Sequence, residues 1–193
     1  MRLACILSLV ATGAVAQDCP TAEDLDEGIR LTRFDPHFSI VMKREDDGLS
    51  EARVLTRNGT PEQVSTRYGH ALTVTRRDGG GGTLELDYAK DTRELDQLPG
   101  PRNWTSAVTL RSGNEVLNTG TYSAQLSGLG EAEIGECSYT VWRVNEVLQL
   151  DGMAPMAFEK SYAPDLGLVL GSIQLDPQGA PLGSVFFDEI TAE

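Results

Sequence analysis

The sequence predicts a mainly β protein: one strongly curved antiparallel sheet, an open or half barrel, with one or two short helices. Three observations predict it. Apolar and polar residues alternate with a period of two through most of the chain. Glycine, asparagine, aspartate and proline cluster between the alternating runs, where tight turns need them. Only two short segments carry helix signals.

In chain order, residues 1–16 read as a secretory signal peptide, with Arg2 as the positive n-region, Leu3 to Val10 as the apolar core and Ala14-Val15-Ala16 as the cleavage site. The apolar run falls short of the roughly 20 residues of a membrane span, so the expected product is periplasmic or secreted and not membrane-spanning. Residues 17–193 form a single β-rich domain. The chain carries a formal net charge of −13, and −14 once Arg2 is removed. An acidic surface of this kind excludes nucleic acid as a partner and favours solubility.

Of three cysteines, Cys5 leaves with the leader. Cys19 and Cys137 remain, an even pair in an oxidising compartment, and are expected to form a disulfide. In the chain-entropy model so long a loop contributes roughly 4–5 kcal/mol. The alternative is a redox couple, but the C-x-x-C spacing of reactive pairs is absent.

Pro20 to Gly28 predicts a short helix, with Thr21 as N-cap and acids in the first turn. Strand alternation then runs through His37–Arg44, Tyr68–Thr75, Thr83–Tyr88, Trp104–Arg111 and Thr121–Leu126. Turns are expected at Asn58-Gly59, Asp78 to Gly82, Ser112 to Asn114 and Asp176 to Gly179. Asp91 to Leu98 is the second helix candidate, ended by Pro99-Gly100-Pro101. Roughly nine to eleven strands result. Glu136–Val144 and Leu166–Leu175 are apolar on both faces, which places them in the middle of the sheet, buried from two sides.

Motifs of chemistry are few. Two histidines, His37 and His70, and one cysteine pair do not make a zinc site. The acidic clusters at Asp24 to Glu27 and Glu45 to Asp47 lack the spacing of a calcium loop. Gly79 to Gly82 lacks the lysine of a phosphate loop, and no Gly-x-Ser-x-Gly elbow occurs. The sequence therefore implies neither cofactor nor metal. Trp104, Tyr139, Trp142, Phe158 and Tyr162, with His70 on an apolar strand face, are the candidates for lining an apolar pocket inside a curved sheet or for filling its core. Lys160 shares the strand face of Phe158 and Tyr162, where a cation either meets an anionic ligand or reaches to the surface.

The segments CSYTVWRV (137–144) and FEKSYAPDLGLVLGSIQLD (158–176) resemble small exported alphaproteobacterial proteins of unknown function. More loosely they resemble periplasmic half-barrel proteins such as lipoprotein carriers, chiefly through Tyr162 to Leu170. That resemblance implies a curved sheet around an apolar groove that works by binding a hydrophobic small molecule or lipid. The expectation is a non-enzymatic binding or envelope-maintenance protein. The alternatives are a carboxylate-based hydrolase, with paired acids or an acid beside His70, and an interaction scaffold using a sheet edge.

Overall fold

The structure, a computed structural model, describes residues 18–57 and 60–193. The expected signal peptide, residues 1–16, and the turn expected at Asn58-Gly59 lie outside the described residues. Thirteen strands among the described residues form one antiparallel sheet: β1 (Ile29–Arg33), β2 (Phe38–Glu45), β3 (Gly48–Arg57), β4 (Thr60–His70), β5 (Thr73–Gly79), β6 (Gly82–Tyr88), β7 (Asn103–Ser112), β8 (Glu115–Ile134), β9 (Cys137–Leu150), β10 (Met156–Ala163), β11 (Leu168–Leu175), β12 (Pro181–Phe186) and β13 (Glu189–Ala192). The spatial order is that of a meander from β12 back to β1, with β13 added beside β1.

Contacts across the interior show the curl. His70 of β4 packs its ring 4.9 Å from that of Tyr162 of β10, although five strands separate them along the sheet. The Tyr122 hydroxyl of β8 donates to the Leu72 carbonyl between β4 and β5 at 2.6 Å. The ladder does not close into a barrel: β12 and β13 are its two edges. They are consecutive in the chain, so Phe187 and Asp188 alone carry the backbone from one edge to the other. The two predicted helices are single 3₁₀ segments, Ala22–Leu25 behind the Thr21 cap and Thr92–Gln97 behind Asp91, whose carboxylate accepts from the Arg93 amide. Leu95 and Leu98, fully buried, plug one end of the curl, and Trp104 fastens the plug by donating its indole N–H to Glu94 at 3.0 Å.

Three expectations change. The alternation over Tyr68–Thr75 is broken by a two-residue hairpin at Ala71-Leu72, which carries none of the usual turn residues. Side chains close it instead: His70 Nδ1 accepts from the Leu72 amide, and Thr73 Oγ1 accepts from the His70 amide. The hairpin tip is buried, which suits Ala71 and Leu72. This split, with β1 and β13 too short for alternation to show, lifts the strand count above eleven.

The apolar β9–β11 region is not the middle of the sheet, which is β6; it lies one to three strands from the β12 edge. Its second face is covered locally. The register of β8 against β9 shifts between Leu126 and Gly128. Beyond the shift Ile134 and Val141 line a hollow with Leu170, Phe186 and Phe187. Cys137 is bonded to Cys19, and the Tyr139 hydroxyl donates to the Pro20 carbonyl, which ties the N-terminal segment over this face.

Candidate functional site

The inner face is read directly from the register, because opposed residues of an antiparallel pair share a face. Ile40 and Met42 of β2 stand opposite Arg53 and Glu51 of β3, and Glu51 and Arg53 stand opposite Thr66 and Val64 of β4. On the far wall Lys160 of β10 is opposite Ser172 of β11, which is opposite Val185 of β12. These walls border a cavity of about 220 Å³ that is open on one side. Phe38, Ile40, Met42, Ala71, Val169, Val185 and Phe187 give it apolar surface, while Glu51, Arg53, Tyr68, Lys160 and Ser172 bring polar groups into it. Val185, 37 % exposed, stands at its rim.

Two ion pairs dominate its electrostatics. Lys160 Nζ lies 2.7 Å from Glu146 Oε2, and Arg53 Nε lies 3.2 Å from Glu51 Oε1. In both pairs the carboxylate is the deeper partner: the side chains of Glu146 and Glu51 are 4 % and 7 % exposed, those of Lys160 and Arg53 16 % and 19 %. Tyr68 donates to Glu51 Oε2 at 2.6 Å, and burial together with the Glu51 charge pushes that phenol well above its ordinary pKa, so it remains a donor. Burial raises the Glu146 carboxyl, against the opposing pull of Lys160. The Arg53 guanidinium stands 6.0 Å from the centre of the Phe38 ring.

Satisfaction is incomplete. Glu51 Oε1 and Arg53 Nε are close but not aligned for a hydrogen bond, and both are buried without a hydrogen-bond partner, as are Thr66 Oγ1 and Glu146 Oε1. Each such atom costs about 1–3 kcal/mol or more if left so, and most buried polar atoms in folded proteins are partnered. Here the exceptions gather on adjacent strands β3 and β4 and behind Lys160.

The residues singled out from sequence do not converge on this cavity. Trp104 and Tyr122 join Tyr88 in a cluster with ring centroids 5.5–6.1 Å apart. Trp142 meets Tyr162 edge-on at 5.5 Å, and Tyr162 meets His70. Tyr139 holds the N-terminal segment. Phe158, half-buried on β10, is opposite Glu146. Lys160, by contrast, lines the cavity. Sequence reasoning missed Glu51, Arg53 and Glu146. A signal existed for Glu146, which falls in the inward register of Val144, Leu148 and Leu150.

His70 with an acid does occur: its Nε2 is 3.3 Å from Asp96 Oδ1, beside a hollow of about 690 Å³ that Asp46, Asp47, Asp91 and Arg93 also line. The bond from the Leu72 amide makes Nδ1 an acceptor, so the neutral ring carries its proton on Nε2 and donates to Asp96. Both ring nitrogens are thereby engaged, and neither is placed to take a proton from a substrate. Burial lowers the His70 pKa, which favours that neutral form.

Among the described residues no three His, Cys, Asp or Glu side chains form a metal-holding group, and no helix is long and apolar enough to cross a membrane. No protein-family model, curated protein or solved structure matches this chain.

Proposed function

We propose that this is an exported binding protein without chemistry of its own, which holds a small hydrophobic molecule against the inner face of its curved sheet. One observation carries the reading: the half of the sheet formed by β2–β4 and β10–β12 keeps a cavity lined by seven apolar side chains instead of closing on itself. The hollow is open at its rim beside Val185, so its apolar lining stays in contact with solvent, surface that a domain needing only stability would gain by burying. Export is supported by the leader pattern of residues 1–16 and by the Cys19–Cys137 bond, which suits an oxidising compartment.

The test is native mass spectrometry of the protein purified from the periplasm, together with titration of the folded protein by a polarity-sensitive dye such as anilinonaphthalene sulfonate. A co-purifying small molecule, or saturable dye binding with the unfolding midpoint raised by the dye, is the expected result. A bare mass together with no saturable binding overturns the reading.

A scaffold reading is favoured by β12, which is exposed at every residue and has a ladder partner on one side only. Arg33 already covers part of that edge by donating to the Ser184 carbonyl at 3.2 Å. A pull-down from envelope extract that returns no stoichiometric partner would end it.

A further inference from the structure

The charges of the cavity narrow the ligand class, and the inference rests on the binding reading above. The chain as a whole is strongly acidic, at −13. The cavity lining departs from that: it holds two cations, Arg53 and Lys160, and one carboxylate, Glu51. Glu146, the counter-charge of Lys160, does not line the cavity and sits behind the ammonium. An ammonium has three donors, and the Glu146 contact uses one. Arg53 lines the cavity as well; its Nε is turned toward Glu51, which leaves the terminal guanidinium nitrogens as the groups a ligand could meet. Glu51 opposes an incoming anion, but the Tyr68 hydroxyl and the neighbouring Arg53 hold its charge.

We propose that the ligand is a small monocarboxylate with an aliphatic tail, its head accepting hydrogen bonds from Lys160 and Arg53 and its tail lying against Phe38, Ile40, Met42, Val169, Val185 and Phe187. The two ion pairs together are neutral, but Glu146 lies behind Lys160, so the groups facing the cavity are two cations and one carboxylate, a face that suits a head with one negative charge better than a phosphate dianion. A cationic head meets two like charges. A neutral alcohol leaves the donors without the stronger charge-assisted bonds a carboxylate accepts. The size also fits: a cavity of about 150 Å³ holds a six-carbon ring, so about 220 Å³ suits a chain of about eight to ten heavy atoms.

The experiment is calorimetric titration of the disulfide-bonded protein, stripped of any bound molecule, with octanoate, 1-octanol and octylamine, which share a tail and differ in the head. Octanoate is expected to bind at least about tenfold more tightly than octanol, with octylamine weakest. In the double variant E146Q/K160M, which removes both charges of one pair, octanoate and octanol are expected to bind within about threefold of each other, since a deleted charge-assisted bond is what separates them. Should that variant not fold, E51Q/R53Q serves the same purpose from the other wall. Octanol equal to octanoate, octylamine preferred, or a preference that survives both double variants overturns the carboxylate inference while leaving the binding reading intact. No binding of any of the three, joined to a negative dye titration, overturns the binding reading itself.

Discussion

On the β6–β9 side of the inner face, Tyr88, Trp104 and Tyr122 meet in tilted and edge-to-face contacts, and Ala124, with no exposed surface, fits between the Trp104 and Glu146 positions of its two neighbours. On the side of β2–β4 and β10–β12 the same inward register delivers Ile40, Met42, Val169 and Val185, with Phe38 and Phe187 stacked at 6.3 Å, and a cavity remains. The two sides differ in side-chain volume, not in backbone pattern. Three large rings in mutual contact, with the small Ala124 opposite Trp104, complete one half of the core. Medium-sized aliphatics interrupted by Glu51, Arg53 and Lys160 cannot complete the other, because charged heads held in pairs keep their stems from packing inward. The closely packed core and the cavity thus lie in different halves of one continuous sheet, which would separate stability from the proposed binding.

Trp104→Ala gives the largest expected effect that separates them. It removes a ring from the filled half and the donor that fastens the Leu95/Leu98 plug through Glu94, and should cost about 3–5 kcal/mol. Urea unfolding measures this, and dye binding by the fraction still folded should be unchanged. A loss of binding at full foldedness would show that the halves are not independent.

A smaller pair of substitutions tests the same contrast by adding volume. Ala124→Leu puts atoms where none fit and should cost about 1–3 kcal/mol. Val169→Phe adds a ring toward the cavity and should stay within about 1 kcal/mol of the wild type, or stabilise, as cavity-filling substitutions do. It should also abolish dye and octanoate binding. Equal destabilisation by the two variants would mean that the cavity half is as tightly packed as the other.

Much of the filled half was legible in the sequence. Trp104, Val108, Tyr122, Ala124 and Leu126 alternate cleanly with polar residues, and each is buried. The Cys19–Cys137 bond followed from counting, and the Thr21 cap from helix-start chemistry. The cavity half was hidden for a physical reason. Glu51, Arg53 and Thr66 are polar residues on an inward register, so alternation reads their strands as indistinct even though their positions are fixed by pairing. The β4–β5 turn was hidden because its geometry is set by the His70 and Thr73 side chains, not by glycine or asparagine. The both-sided apolarity of β9 suggested a central strand, because the expected Cys19–Cys137 bond does not by itself show that the N-terminal segment covers the second face, where Tyr139 also holds Pro20.

The smallest effect belongs to His70, which stands at the border of the two halves: its ring packs on Tyr162, while the next residue, Ala71, lines the cavity. Burial holds its pKa below 6.5, assisted by the Lys160 charge and opposed by Asp96. Protonation would also set a second N–H against the Leu72 amide that now donates to Nδ1. In the unfolded chain the group titrates near its ordinary value of about 6.5. Between that value and the lower folded one, the unfolded chain binds more protons than the native protein, so stability falls as pH falls below about 6.5, with a slope of at most about 1.4 kcal/mol per pH unit. Glu146, raised by burial, acts in the opposite sense above pH 4.5, because there the folded protein binds the extra proton and gains stability on acidification. The two are separated by difference. In His70→Asn the side-chain oxygen can keep the Leu72 amide bonded while the titration is lost. Urea midpoints measured from pH 7.5 to 5.5 should then fall less on acidification in the variant than in the wild type. An identical slope in both would mean that His70 is as free to protonate in the fold as in the unfolded chain, and that the border between the halves admits water.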